Sequence, residues 1–209
     1  RSEEGAEMGR ASVQAWTQRC FELGEGAYEG ADSHVPSSFM EANPEYLSYH
    51  ARNLERNPRG RRVLIVTIPA LQADSRRNKR TYDDFVDWHR SNLVELLHAT
   101  PVRDKELADS FGVPVTDVAI WRDKYALLFE PVVHSQSIRL RMVFKGEALF
   151  ESCSRYFEAL ASEAMAFTEI PPVLGRNLAK AWEDFVDPPR RLALQGPFLL
   201  KLLEPYKKK

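Results

Sequence analysis

The segment "RRVLIVTIP", residues 61–69, constrains this chain more than any other. A continuous β-branched run reads as a strand covered on both faces, as parallel strands of α/β sheets are. Such a strand needs helices on either side of its sheet and further strands beside it. The flanking sequence supplies both. "ASVQAWTQRCFELGEG" sets Val13, Trp16, Cys20 and Leu23 at helical spacing and ends at Gly24 and Gly26. "GAYEGADSHVP" reads as a short strand running into a polar loop. "NPEYLSYHARNLERNP" reads as a helix with Asn43 as N-cap and Pro44 at its first position.

Downstream of the run, "ADSRRNKR" reads as a basic loop, and "TYDDFVDWHRSNL" as an amphipathic helix capped by Thr81. "VELLHATP" (94–101) is a second strand candidate, and "VRDKELADSFGVP" a short helix stopped by Gly112 and Pro114. "TDVAIWRDKYALLFEP" (116–131) reads as two apolar strands about a two-residue turn, and "IRLRMVFKG" as one more strand. "EALFESCSRYFEALASEAMAF" then forms a long helix with Leu149, Phe150, Cys153, Tyr156, Phe157 and Leu160 as its apolar stripe.

This alternation predicts an α/β domain over residues 11–167. Its sheet is mixed, with parallel strands followed by an antiparallel hairpin, and helices flank it. Residues 1–10 are small and charged and read as a disordered segment. Residues 168–209 hold six prolines in two helical pieces and read as a Pro-rich helical appendage.

Composition narrows the partners. The formal net charge is −1, so no global basic field calls for nucleic acid or an anionic membrane. Lys207, Lys208 and Lys209 read as a solubilising tail. No run of 18 apolar residues is present, and "RSEEGAEMGR" has no apolar signal core, so no membrane partner is expected. Cys20 and Cys153, about 130 residues apart in apolar helical contexts, read as small hydrophobes in a reducing, cytoplasmic setting. The chain opens on Arg1 rather than Met, which sets the expectation of a piece of a longer protein.

Sharp catalytic motifs are missing. No Walker loop, GxGxxG, GxSxG, HExxH or EF-hand occurs, and no cofactor is expected. Ligands of open α/β sheets bind beyond the carboxyl ends of the strands. Asp32, Ser33 and His34 meet that placement after the first strand, Arg76 and Arg77 after the second, and Glu130, His134 and Ser135 around the hairpin's exit. The cations of "SRRNKR" beside a helix N-terminus would hold an anion. Asp32, His34 and His134 could instead hold a divalent metal for a hydrolase or nuclease, although nothing fixes their spacing. Asp32, Ser33 and His34 cannot form a triad among themselves, because neighbouring side chains diverge. Cys153, in an apolar stripe, is inert as a nucleophile. "ELADSFGVPVTDVAIW" mimics a helix-turn-helix within 105–122, but its second half offers only Arg122 and Lys124 to a phosphate backbone.

The order "YEGADSHVP", helix, "RRVLIVTIP", helix, "VELLHATP", "TDVAIWRDKYALLFEP", "IRLRMVFKG" and the "FESCSRYFEALASEA" helix resembles one repeat of the phospholipase D-like fold. That family's catalytic signature, HxKxxxxD, falls on Thr116, Val118 and Asp123. The resemblance implies His as the nucleophile that takes the phosphoryl group and Lys as the holder of its oxygens. Thr and Val can do neither. What the resemblance implies is therefore a catalytically degenerate single repeat, similar to sensor modules of bacterial and archaeal transcriptional regulators. The expected role is a non-catalytic regulatory or interaction module. Its expected partners are a small anionic ligand, a second copy of the chain, or the rest of a larger protein, with nucleic acid disfavoured.

Overall fold

The computed structural model of the chain describes residues 6–8, 10–24, 28–33, 52, 54–56, 58–114, 117–132 and 137–167. The elements are β1 (Ala6–Met8), α1 (Arg10–Leu23), β2 (Tyr28–Asp32), β3 (Arg61–Ile65), α2 (Ile68–Arg77) and α3 (Lys79–Ser91). There follow β4 (Glu95–Ala99), α4 (Pro101–Phe111), β5 (Asp117–Trp121), β6 (Tyr125–Pro131), β7 (Ile138–Phe144), α5 (Ala148–Glu163) and β8 (Met165–Ala166).

The described strands form one mixed sheet in the order β1-β7-β6-β5-β2-β3-β4-β8. β2, β3 and β4 run parallel, with Ala31 opposite Val63 and Val63 opposite Leu97. β5 lies antiparallel to β2, and β5, β6 and β7 form a meander. The parallel strands are apolar on both faces because both faces are covered. On one face α4 and α5 bury Leu107, Phe150, Cys153, Phe157 and Leu160 against Val63, Ile65, Val118, Ile120 and Leu128. On the other, Cys20 of α1, Leu71 of α2 and Phe85 of α3 join Tyr28, Leu64, Trp121 and Leu127. Fully buried side chains such as Phe157 and Leu160 contribute about 1.5–3 kcal/mol each.

Local signals set several ends. Thr67 and Thr100 cap α2 and α4, and Pro69 and Pro101 occupy their first turns. Gly112 closes α4 at φ 68°, a left-handed conformation that glycine adopts without steric cost.

Several sequence expectations are corrected. The strand from Arg61 stops at Ile65, and Ile68 and Pro69 already belong to α2. "SRRNKR" is no loop: it spans the end of α2 and the start of α3, which meet at Asn78. Arg and Lys are good helix formers, so a dense run of them extends helices where neighbours allow it. α3 therefore starts at Lys79, and Thr81 lies within it rather than capping it. Residues 6–8, expected to be disordered, pair with β7 along the sheet edge. The hairpin turn takes the three residues 122–124, and β8 adds an edge strand that was not expected. The proposed helix at 43–58 and the appendage at 168–209 fall largely or wholly outside the described residues.

Candidate functional site

The strand order points to one crevice. The chain steps from β2 to β3 to β4 in one direction and then returns past β2 to place β5. α2 and α3, between β3 and β4, pack on one face, while α4, between β4 and β5, packs on the other. Where neighbouring strands send their connections to opposite sides, a cleft opens at the carboxyl ends. Among the described strands β3 and β4 meet that condition, and the carboxyl end of β2 lies beside them, next to the start of β5. There the Ser33 backbone N–H donates to Asp117 Oδ1 at 2.7 Å, and Phe129 lies opposite Asp117 on β6. The end of β2, the start of β5 and the end of β6 thus share one edge.

The carboxylate of Asp32 at this edge is already engaged. Arg62 Nε donates to Asp32 Oδ2 at 2.5 Å, with Arg62 only 1% exposed. Asp32 lies opposite Leu64 and Gly30 opposite Arg62, so these positions share a sheet face, and the Tyr28 ring fills the space beside Gly30 that a side chain there would take. The guanidinium also lies 5.1 Å from the Phe85 ring centre and 3.5 Å from His89 Nε2. His89 Nδ1 donates to Phe85 O at 2.7 Å, which leaves Nε2 as the acceptor side facing Arg62. Burial, and then the Arg62 charge, push the His89 imidazole down to about 3, so it stays neutral. His98 on β4 donates to Val66 O at 2.7 Å, and burial lowers it as well. Both histidines are structural donors.

A second buried carboxylate behaves differently. Asp104 in the first turn of α4 is 4% exposed and accepts from the Tyr156 hydroxyl of α5. Burial raises its pKa, the Tyr156 bond lowers it, and the Asp117 charge raises it further. Tyr156 is also pushed up, by burial first and then by the Asp104 carboxylate.

Of the residues the sequence singled out, the structure brings Asp32, Ser33 and Glu130 to one edge of the sheet. Ser33 is exposed, and Glu130 pairs loosely with Arg139 at 3.7 Å. Arg76 and Arg77 do not join them. They lie eight or more residues along α2, about 12 Å from its start at 1.5 Å per residue. There they make an exposed cationic corner with Lys79 and Arg80. His34, His134 and Ser135 lie outside the described residues. Sequence reasoning missed Asp117, Asp104 and Tyr156. Asp117 opens a strand as a polar first residue, which is a signal only once β5 is known to lie beside β2.

The hairpin settles two further points. Val118 is 2% exposed within the core, and Thr116 lies outside the described residues. Asp123 at the bend is bound by Lys145 at 3.1 Å with its side chain 83% exposed. The helix-turn-helix reading of 105–122 is corrected: α4 is followed by β5, a central strand, because "VAIW" is β-branched and apolar on both faces. Arg122 is engaged by carboxylates. It binds Glu29 at 2.6 Å and reaches Glu158 of α5, and Arg61 joins the same two carboxylates.

For a metal, no group of three or more His, Cys, Asp or Glu with suitable placement occurs among the described residues. No helix among them is long and apolar enough to cross a membrane. No family model matches the chain, and no curated protein or solved structure matches it.

Proposed function

We propose that the chain is a non-catalytic regulatory or interaction module of phospholipase D-like architecture. The observation that carries this reading is the hairpin. In the position where phosphoryl chemistry of that kind needs a lysine, the chain has Val118, packed among Ala31, Ile65 and Leu128 in an apolar cluster. A side chain there cannot hold a phosphate oxygen. A mixed sheet of parallel strands continued by an antiparallel hairpin, with a long helix after it, agrees with the same reading.

The ligand class follows from where the charges are. At the β2–β5 crevice the described charged side chains are Asp32, bound to Arg62, with Asp117 and Glu130. Arg139, loosely paired with Glu130, also lies at that edge, so acids outnumber the cations an anion would meet there. The α2–α3 corner, with Arg76, Arg77, Lys79 and Arg80 exposed, is the surface suited to a phosphate-bearing ligand or the acidic face of a protein partner. The test is titration with inorganic phosphate and ATP, comparing the wild-type chain with Arg76→Ala/Arg77→Ala. Binding should be lost in the double variant with the melting temperature nearly unchanged. Equal binding in both proteins removes the corner from the account.

A further inference from the structure

Four carboxylates are buried among the described residues, and one of them, Asp74 of α2, accepts from Asn78 Nδ2 at 3.4 Å. Glu29 and Asp32 are each held by guanidinium groups, from Arg61 and Arg122 in one case and from Arg62 in the other. Asp104 is as deeply buried as either, and no cation among the described residues pairs with it. The cations of its own helix turn outward: Arg103 binds Glu163 and Glu106, and Lys105 binds Asp109. From α5 the groups facing it are the Tyr156 hydroxyl and, beyond that, the Cys153 thiol, which burial pushes up to about 12 and so keeps neutral. From β5 the facing group is a second carboxylate, Asp117, itself bonded by the Ser33 N–H.

Burial and the neighbouring Asp117 push a carboxyl in that setting toward the neutral acid, against the pull of the Tyr156 bond. Removing its proton puts a charge into an apolar layer next to another negative group, with a single phenol to bind it. We propose that Asp104, Tyr156 and Asp117 form a proton-held latch that fastens α4 to α5 beside the β2–β5 crevice and loosens as the pH rises. Protonated Asp104 can accept from Tyr156 and use its own hydroxyl hydrogen toward a neighbouring acceptor. The ionised form loses that donor. Asp117 links the latch to the crevice, because the same side chain that opposes Asp104 ionisation anchors the end of β2 through Ser33. The inference does not depend on what the crevice or the cationic corner binds.

The sign follows from linkage. A carboxyl whose folded-state pKa is raised contributes its full stability below its unfolded value and loses it as pH rises through the folded value. An asparagine at 104 keeps the acceptor for Tyr156, keeps a donor, and cannot ionise. Asp104→Asn should therefore melt above wild type at pH 8, and this advantage should shrink progressively toward pH 4.5. Rate-corrected amide exchange in α4 should quicken with pH in wild type but not in the variant. If Asp104→Asn melts below wild type across the range, or the two pH profiles run parallel, the latch is overturned. Should that variant fail to fold, Asp117→Asn carries the test: the midpoint of the wild-type loss must move to lower pH, and an unmoved midpoint is equally fatal.

Discussion

Replacing Asp32 with Ala should be among the most damaging single changes at the crevice, although the residue looks like a ligand-binding position. Arg62 is 1% exposed and fixed to Asp32 Oδ2 through Nε at 2.5 Å. Without the carboxylate, the guanidinium loses its Asp32 partner, while a neutral imidazole stays at 3.5 Å and the Phe85 ring at 5.1 Å. A cation–π contact of about 2 kcal/mol does not offset the loss of that partner. Breaking a buried pair from one side costs about 3–5 kcal/mol. For a domain of this size each kcal/mol moves the melting temperature by roughly 2–4 °C, so a fall of about 6–20 °C is expected. The double variant Asp32→Leu/Arg62→Met removes both charges and keeps the volume, and should recover most of the loss. Urea unfolding at pH 7 for wild type, single and double variants gives the coupling directly. Asp32→Ala within about 1 kcal/mol of wild type would refute the reasoning and return Asp32 to the ligand-binding set. A double variant no better than the single would refute the ion-pair assignment.

Acid should weaken the fold through its buried imidazoles. The unfolded chain protonates His89 near its ordinary value of 6.5 while the folded chain resists to about 3, so stability falls as pH drops through that window. From pH 7.5 to pH 5 the loss from His89 is about 2 kcal/mol, with His98 adding in the same direction. In His89→Asn the slope of unfolding free energy against pH between 5 and 6.5 should flatten by about 1 kcal/mol per unit; an unchanged slope would show that His89 is protonated in the fold. Gly60→Ala tests the approach of β3 to β2, because a Cβ there would stand 2.1 Å from the Tyr28 carbonyl oxygen. Backbone cannot yield as a flexible side chain does, so a loss of at least about 1–3 kcal/mol in chemical unfolding is expected, and a neutral substitution would contradict the strand packing.

How much of this was legible in the sequence depends on how far apart the partners lie. β3, β4, the hairpin and the Gly112 stop were readable because β-branched runs and turn residues act locally. The "RR" at 61–62 was not. In a strand the two side chains point to opposite faces, so Arg61 reaches Glu29 and Glu158 while Arg62 turns inward to Asp32. Nothing near either arginine in the sequence announces those partners. The basic stretch at 75–80 was misread because its charge suggested a loop, whereas its residue types favour helix and only Asn78 interrupts it. β1 and β8 are three and two residues long, too short for any period to register. At the crevice, Ser33 and Asp117 meet across 84 positions, and Asp104 and Tyr156 across 52. Only the sheet order brings them together.

The account stands or falls on the hairpin being scaffold rather than machinery. The most direct measurement is the rate of hydrolysis of a chromogenic phosphodiester by the purified chain beside its Asp123→Ala variant. The account predicts no turnover above buffer for either protein. Turnover by the wild-type chain that disappears in Asp123→Ala would contradict it.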